Sequence, residues 1–307
     1  MFPQFASELV KICETENVHL GEIAIRHEME ESDATREEIV AELREVIRVM
    51  NRAATEGRRR LVFSLSGLIG GDSSKIMDYT KTHRSITGEV MTNAMAYAMS
   101  SSEINASMGR IVAAPTAGAC GIVPAVLQTF SDQRHCTEDE LVEALTVAGA
   151  MGIIIGQNAT ISGAEGGCQA ETGSAAAMAA GAAVHLMGGT PQMCLDAGAI
   201  ILMNMLGLVC DPVAGLVEIP CVYRNAQGAV NALTTADMVM AGVKSRIPFD
   251  ETVSAMYEVG RSLSESLRET GIGGIAGTPT GKQLKQSIFG DAQITEVHKD
   301  HKHPRNQ

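Results

Sequence analysis

Apolar positions recur at helical spacing along most of the chain, and strand-like alternation is scarce. Near the start, Thr35 and Glu38 form a capping box, Ile39, Leu43, Val46, Ile47 and Met50 make one apolar stripe, and Gly57 closes it. A second capping box, Thr137 with Glu140, opens a predicted helix over 138–155. Further helices are predicted over 169–187, 193–206, 226–241 and 250–269. The expected fold is therefore all-α, a single large helical domain of long apolar helices joined by Gly- and Pro-rich turns. Its expected organisation is a charged helical segment over 1–60, a catalytic domain over 61–290 and a polar mobile tail over 291–307.

Composition narrows the choice of partners. Of 307 residues 45% are hydrophobic, only 3% are aromatic and 17 are Met, which suits closely packed helices. The formal net charge of −12 argues against a nucleic-acid partner, because phosphate contacts need a basic surface. No Lys or Arg stands between Arg134 and Arg224, as expected of a buried centre or of a membrane segment. The stretches 144–164 and 172–195 approach the length of a span. Gln157, Asn158, Thr160 and Ser162 interrupt the first, and Ser174, His185, Pro191 and Gln192 the second, so buried helices explain them better and no membrane partner is expected. The first residues show no secretory pattern, and a cytoplasmic location is expected. There, seven cysteines read as reduced thiols or metal ligands and not as a disulfide framework.

Three of those cysteines lie in turns. Cys168 follows Gly166-Gly167, and Cys210 and Cys221 bracket a loop stiffened by Asp211-Pro212 and Pro220. Three thiolates held by rigid turns inside a dry core suggest an iron-sulfur cluster with one iron left open to act as a Lewis acid. The alternative is ordinary packing cysteines. Cys120, within RIVAAPTAGACGIVP (110–124), is a possible fourth ligand or a packing residue, and Thr116 stands in the same turn.

Elsewhere, LVFSLSGLIGGDSSKIMDYTK (61–81) reads as a Ser/Gly-rich turn entering a helix. Backbone amides with Ser73, Ser74 and Lys75 could hold a carboxylate there, or the feature is a capped helix with an exposed Lys. The polar run His83-Arg84-Ser85-Ile86-Thr87-Gly88 follows as a site loop would. Arg58, Arg59 and Arg60 read as solvated charge or as an anion contact. His185 reads as a core histidine, and the tail's His298, His301 and His303 as solvated residues.

The segments SGLIGGDSSK, GRIVAAPTAGACGIVPAVL, SGAEGGCQAETGSAAAMAA, GLVCDPVAGLVEIPCVYRNAQGAVNA and GIGGIAGTPTGK together resemble the alpha subunit of iron-sulfur-dependent L-serine dehydratase. The resemblance implies an all-helical catalytic domain whose 4Fe-4S cluster is held by Cys168, Cys210 and Cys221, one iron being free for substrate. It implies deamination of L-serine to pyruvate and ammonia, with no pyridoxal phosphate. In some single-chain relatives a C-terminal cysteine caps the open iron; the tail here, ending Asn306-Gln307, has none. The family's beta domain is missing too, so a separate beta subunit is the expected partner. Lys75 is the expected candidate for a catalytic base, alongside a residue of that subunit. Ser73, Thr116, Asn158 and Asn225 are expected to contact substrate or cluster sulfur. A cluster-dependent cysteine desulfidase or a non-catalytic helical assembly protein are the alternatives.

Overall fold

The computed structural model describes residues 2–290. Thirteen α-helices are present among them: α1 (Ala6–Glu16), α2 (Leu20–Ser32), α3 (Arg36–Arg59), α4 (Asp72–Thr82), α5 (Gly88–Ala106), α6 (Ile122–Arg134), α7 (Glu138–Asn158), α8 (Gly163–Gly166), α9 (Ser174–Leu186), α10 (Pro191–Met205), α11 (Cys221–Met240), α12 (Phe249–Ser262) and α13 (Pro279–Phe289). The extended pairings found there are two single bridges, Phe63 with Gly70 and Cys210 with Arg268. The expected all-α class is borne out. The residues expected to form the tail lie outside the described residues, as do His298, His301 and His303.

Local chemistry explains where the helices begin. Thr35 and Thr137 accept from the amides of Glu38 and Glu140, whose side chains return the bond. Thr190 and Thr278 cap α10 and α13, each followed by Pro at the first helical position.

At the centre is α9, in which every residue from Ser174 to Val184 is buried. A helix apolar on all sides has no solvent face and must be surrounded; α6, α7, α10 and α11 surround it. Small side chains allow the close approach: a Cβ on Gly181 would stand 2.1 Å from Met151 Sδ. Met151, Ile154 and Ile155 of α7 are fully buried in the same core, each contributing roughly 1.5–3 kcal/mol. Phe2, Leu9, Leu20, Ile47 and Met50 join it from the N-terminal segment. The apolar stretches around 144–164 and 172–195 are thus interior helices, and no described helix is long and apolar enough to cross a membrane.

Two predicted helices are interrupted, and both interruptions occur beside the turn cysteines. The one over 169–187 opens as a π-helical turn, Gln169–Gly173, before α9 begins. The one over 250–269 stops at Ser262 and continues as a short 3-10 turn, Glu265–Leu267. Backbone hydrogen bonds from Cys210 to Leu267 and from Glu269 to Cys210 hold that region extended against the cysteine turn, which outcompetes helix continuation.

Candidate functional site

Cys168, Cys210 and Cys221 are delivered by three different turns. The α8 turn ends at Gly167, where φ is +76° and a Cβ would press on Leu208 O at 2.9 Å, so only glycine brings the chain round into Cys168. The next residue, Gln169, is buried and locks the turn to its neighbours. Its amide bonds Leu208 O, its side-chain oxygen accepts from Gly207 N, and its side-chain nitrogen donates to Met256 O. Cys210 is clamped on both backbone sides by Leu267 and Glu269. Cys221 opens α11, and Asn225 one turn later ties it down. The Asn225 Nδ2 donates to Cys221 O and Gly118 O, and its Oδ1 accepts from Gly121 N.

Charged groups fill the space around these sulfurs. Arg224, only 16% exposed, donates to Val209 O and to Asp211 Oδ1 at 2.8 Å, and its charge acts on Cys168, whose sulfur lies 2.9 Å from Thr172 Oγ1. Asp211 Oδ2 accepts from Ile275 N, with Gly274 so close that a Cβ there would stand 2.3 Å from the oxygen. Glu171, in the π turn, has one oxygen 2.8 Å from Thr116 Oγ1 and the other 3.7 Å from Cys210 Sγ. A π turn places Glu171 off the register an α-helix would impose, and such turns recur at functional sites.

Burial raises all three thiols. Cys210 is raised further by Glu171 and Cys168, and Cys221 by Cys168; the Arg224 charge pulls Cys168 and Cys221 back down. Burial also raises the Glu171 carboxyl, against the Thr116 hydrogen bond. Crowded, buried sulfurs beside a cation are poor free thiolates and good ligands, because a metal centre removes the proton and supplies the missing positive charge. Among the described residues no three His, Cys, Asp or Glu side chains converge on one metal ion. Sulfurs bonded to the separate irons of a cluster need no such convergence. The remaining cysteines have other surroundings: Cys120 donates to Ser101 O, Cys136 to Phe130 O, and Cys13 and Cys194 lie within the apolar core.

Residues 15–276 match the family model for the serine dehydratase alpha chain. The chain belongs to the serine dehydratase alpha-chain family. It is 47% identical over 285 residues to the probable L-serine dehydratase alpha chain of Bacillus subtilis, covering 93% of this chain and 95% of that one. It is 44% identical to the L-serine dehydratase alpha chain of Peptoniphilus asaccharolyticus, covering 92% and 97%. Against L-serine dehydratase TdcG of Escherichia coli it is 36% identical, and there 88% of this chain matches 61% of the relative.

In this alpha chain, Thr116 and Asn225 stand at the cysteine centre, Thr116 through Glu171 and Asn225 through the 118–121 turn. Asn158, at the end of α7, donates to Gln4 O and Ile154 O. Ser73 is buried and donates to Ala96 O. Lys75 is 72% exposed and paired with Asp72 at 2.7 Å, and that hydrogen bond raises its pKa, keeping the ammonium protonated at neutral pH. The Ser/Gly turn before α4 reaches the cysteine loop through Ser66 Oγ, which donates to Glu218 Oε2 at 2.6 Å. Glu171, Arg224 and Glu218 were not singled out as site residues in the sequence, and Asp211 was named only with Pro212 as stiffening the loop. Two signals pointed to them: Glu171 is a carboxylate inside a cation-free stretch, and Arg224 is the cation that ends it.

Proposed function

We propose that this chain is the catalytic alpha chain of an iron-sulfur-dependent L-serine dehydratase, releasing pyruvate and ammonia from L-serine by elimination of water. The observation that carries the reading is the meeting of Cys168, Cys210 and Cys221 with Arg224 and Glu171, in a chain matched over most of its length by L-serine dehydratase alpha chains. Cys168, Cys210 and Cys221 would hold a 4Fe-4S cluster, leaving one iron without a cysteine. When bound, such a cluster supplies Lewis acidity toward the serine hydroxyl, which is otherwise a poor leaving group.

The chain's own residues do the remaining work. Arg224 balances charge at Cys168 and fixes Asp211, which in turn holds the 274–275 backbone over the site. Thr116 fixes Glu171 beside Cys210, and Asn225 braces the 118–121 turn against α11. Lys75 is the candidate base on this chain, and it must first lose a proton and its partner Asp72. A base from a second chain is the other source. Elimination leaves aminoacrylate, whose imine tautomer takes up water to give pyruvate and ammonia.

The alpha-chain names of the family and of these relatives support a separate beta subunit. Named alpha chains are covered from end to end, 95% and 97% of their lengths, whereas the Escherichia coli and Streptomyces coelicolor enzymes are covered over 61% and 59%. The test is pyruvate formation from L-serine, assayed anaerobically with and without a co-expressed beta chain. Partner-dependent, air-sensitive activity supports the reading; cysteine as the sole productive substrate would transfer it to the desulfidase.

A further inference from the structure

The start of α4 is capped by a side chain from another helix. Its N-cap residue is Gly71, which has no side chain to offer. The first amides, of Asp72 and Ser73, instead donate to Glu103 Oε1 at 2.6 and 3.3 Å. Glu103 belongs to α5 and is 0% exposed. Its other oxygen has no hydrogen-bond partner and stands 2.9 Å from where a Cβ on Gly57 would be, so the absence of a side chain on α3 makes room for the carboxyl. Asp72 and Lys75 are the charged groups that act on it from α4. On α3, Arg58 bonds Asn93 and lies over the Tyr97 ring.

A chain of contacts leads from this cap to the cysteines. Gly71 N bonds Val62 O and Ser64 N bonds Ile69 O, closing the turn that precedes α4. Within it Leu68 N donates to Ser66 Oγ, and Ser66 Oγ donates to Glu218 Oε2. Glu218 O then accepts from Val222 N, beside Cys221.

We propose that Glu103 is a positioning residue: from α5 it holds the first two amides of α4 and so sets the 64–71 turn against the segment that delivers Cys221. Its consequence for turnover rests on the L-serine dehydratase reading; the placement of the turn does not. Burial pushes the Glu103 carboxyl up to about 7, so the uncharged acid is present near neutrality and glutamine imitates it.

The experiment is hydrogen exchange on the full chain, comparing wild type with Glu103→Ala and Glu103→Gln, together with L-serine kinetics of the same proteins co-expressed with a beta chain. Glu103→Ala is expected to speed exchange at the amides of Asp72, Ser73 and Leu68 by about tenfold while α9 amides stay as slow as in wild type. It is also expected to lower kcat/KM without changing iron per chain. Glu103→Gln, which keeps the accepting oxygen, is expected to restore both. Unchanged exchange at Leu68, equal acceleration in α9, unchanged kcat/KM in Glu103→Ala, or a Glu103→Gln variant as impaired as Glu103→Ala would each overturn the proposal. A wild-type enzyme inactive on L-serine would count against the reaction reading alone, and exchange at Leu68 would still decide whether Glu103 places the turn.

Discussion

Helix α9 is buried almost throughout, whereas the cysteine turns beside it are partly open, with Cys168 and Cys210 buried and Cys221 half-buried, and the two are differently built. From Ser174 to Val184 α9 offers almost nothing but small and apolar side chains, and α6, α7, α10 and α11 close around it. One π turn earlier, Cys168 lies among Arg224, Glu171 and Asp211, and each of these has hydrogen-bond partners. Burial in α9 serves stability through dispersion and exclusion of water. Burial at the turns strengthens every electrostatic interaction and raises three thiols that only a positive centre would relieve. The two regions adjoin because the π turn lets one segment leave the site and enter the core within five residues, Gln169–Gly173.

Substitutions at the two regions should therefore fail in different ways. The largest effect is expected from Cys168→Ala, Cys210→Ala and Cys221→Ala, each abolishing bound iron and pyruvate formation while the chain still unfolds cooperatively. Cys13→Ala, Cys136→Ala and Cys194→Ala are expected to keep both, as metal analysis and thermal melts would show. Arg224→Met leaves Asp211 buried without its cation and should cost about 3–4 kcal/mol in denaturant unfolding, with faster loss of iron to a chelator.

The pH dependence of stability tests a third buried group. Glu103 has a folded value of about 7 against an ordinary 4.5, raised mainly by burial. The folded chain then binds a proton that the unfolded chain has released. Stability from this group is full below about 4.5, declines as pH rises and is lost above about 7, a change of about 3 kcal/mol. Glu103→Gln should remove that slope from urea titrations run across the window. The smallest effect belongs to the core: Gly181→Ala should cost about 1–3 kcal/mol through contact with Met151 and leave iron content unchanged.

Much of this contrast is legible in the linear chain. The capping boxes at Thr35 and Thr137, the apolar runs and the glycines around Cys168 all act locally, so periodicity and turn chemistry reveal them. The π turn does not show, because residues 169–187 carry no charge except Glu171 and an apolar run fits either helical register. Nor does the pairing of Thr116 with Glu171, which lie far apart in sequence and meet only through packing. The start of α4 is the most instructive case. Its amides with Ser73, Ser74 and Lys75 read as a place for a carboxylate or as a capped helix with an exposed Lys; a carboxylate is there, and it is Glu103 of α5. Propensity and motif carry no information about which neighbouring helix supplies a buried cap.

Iron and acid-labile sulfide per chain, measured after anaerobic purification, bear most directly on the cysteine centre. About four of each in the wild type and almost none in Cys210→Ala is the expected result. An iron-free, colourless wild type, prepared with iron and sulfide supplied, would return Cys168, Cys210 and Cys221 to the role of packing residues.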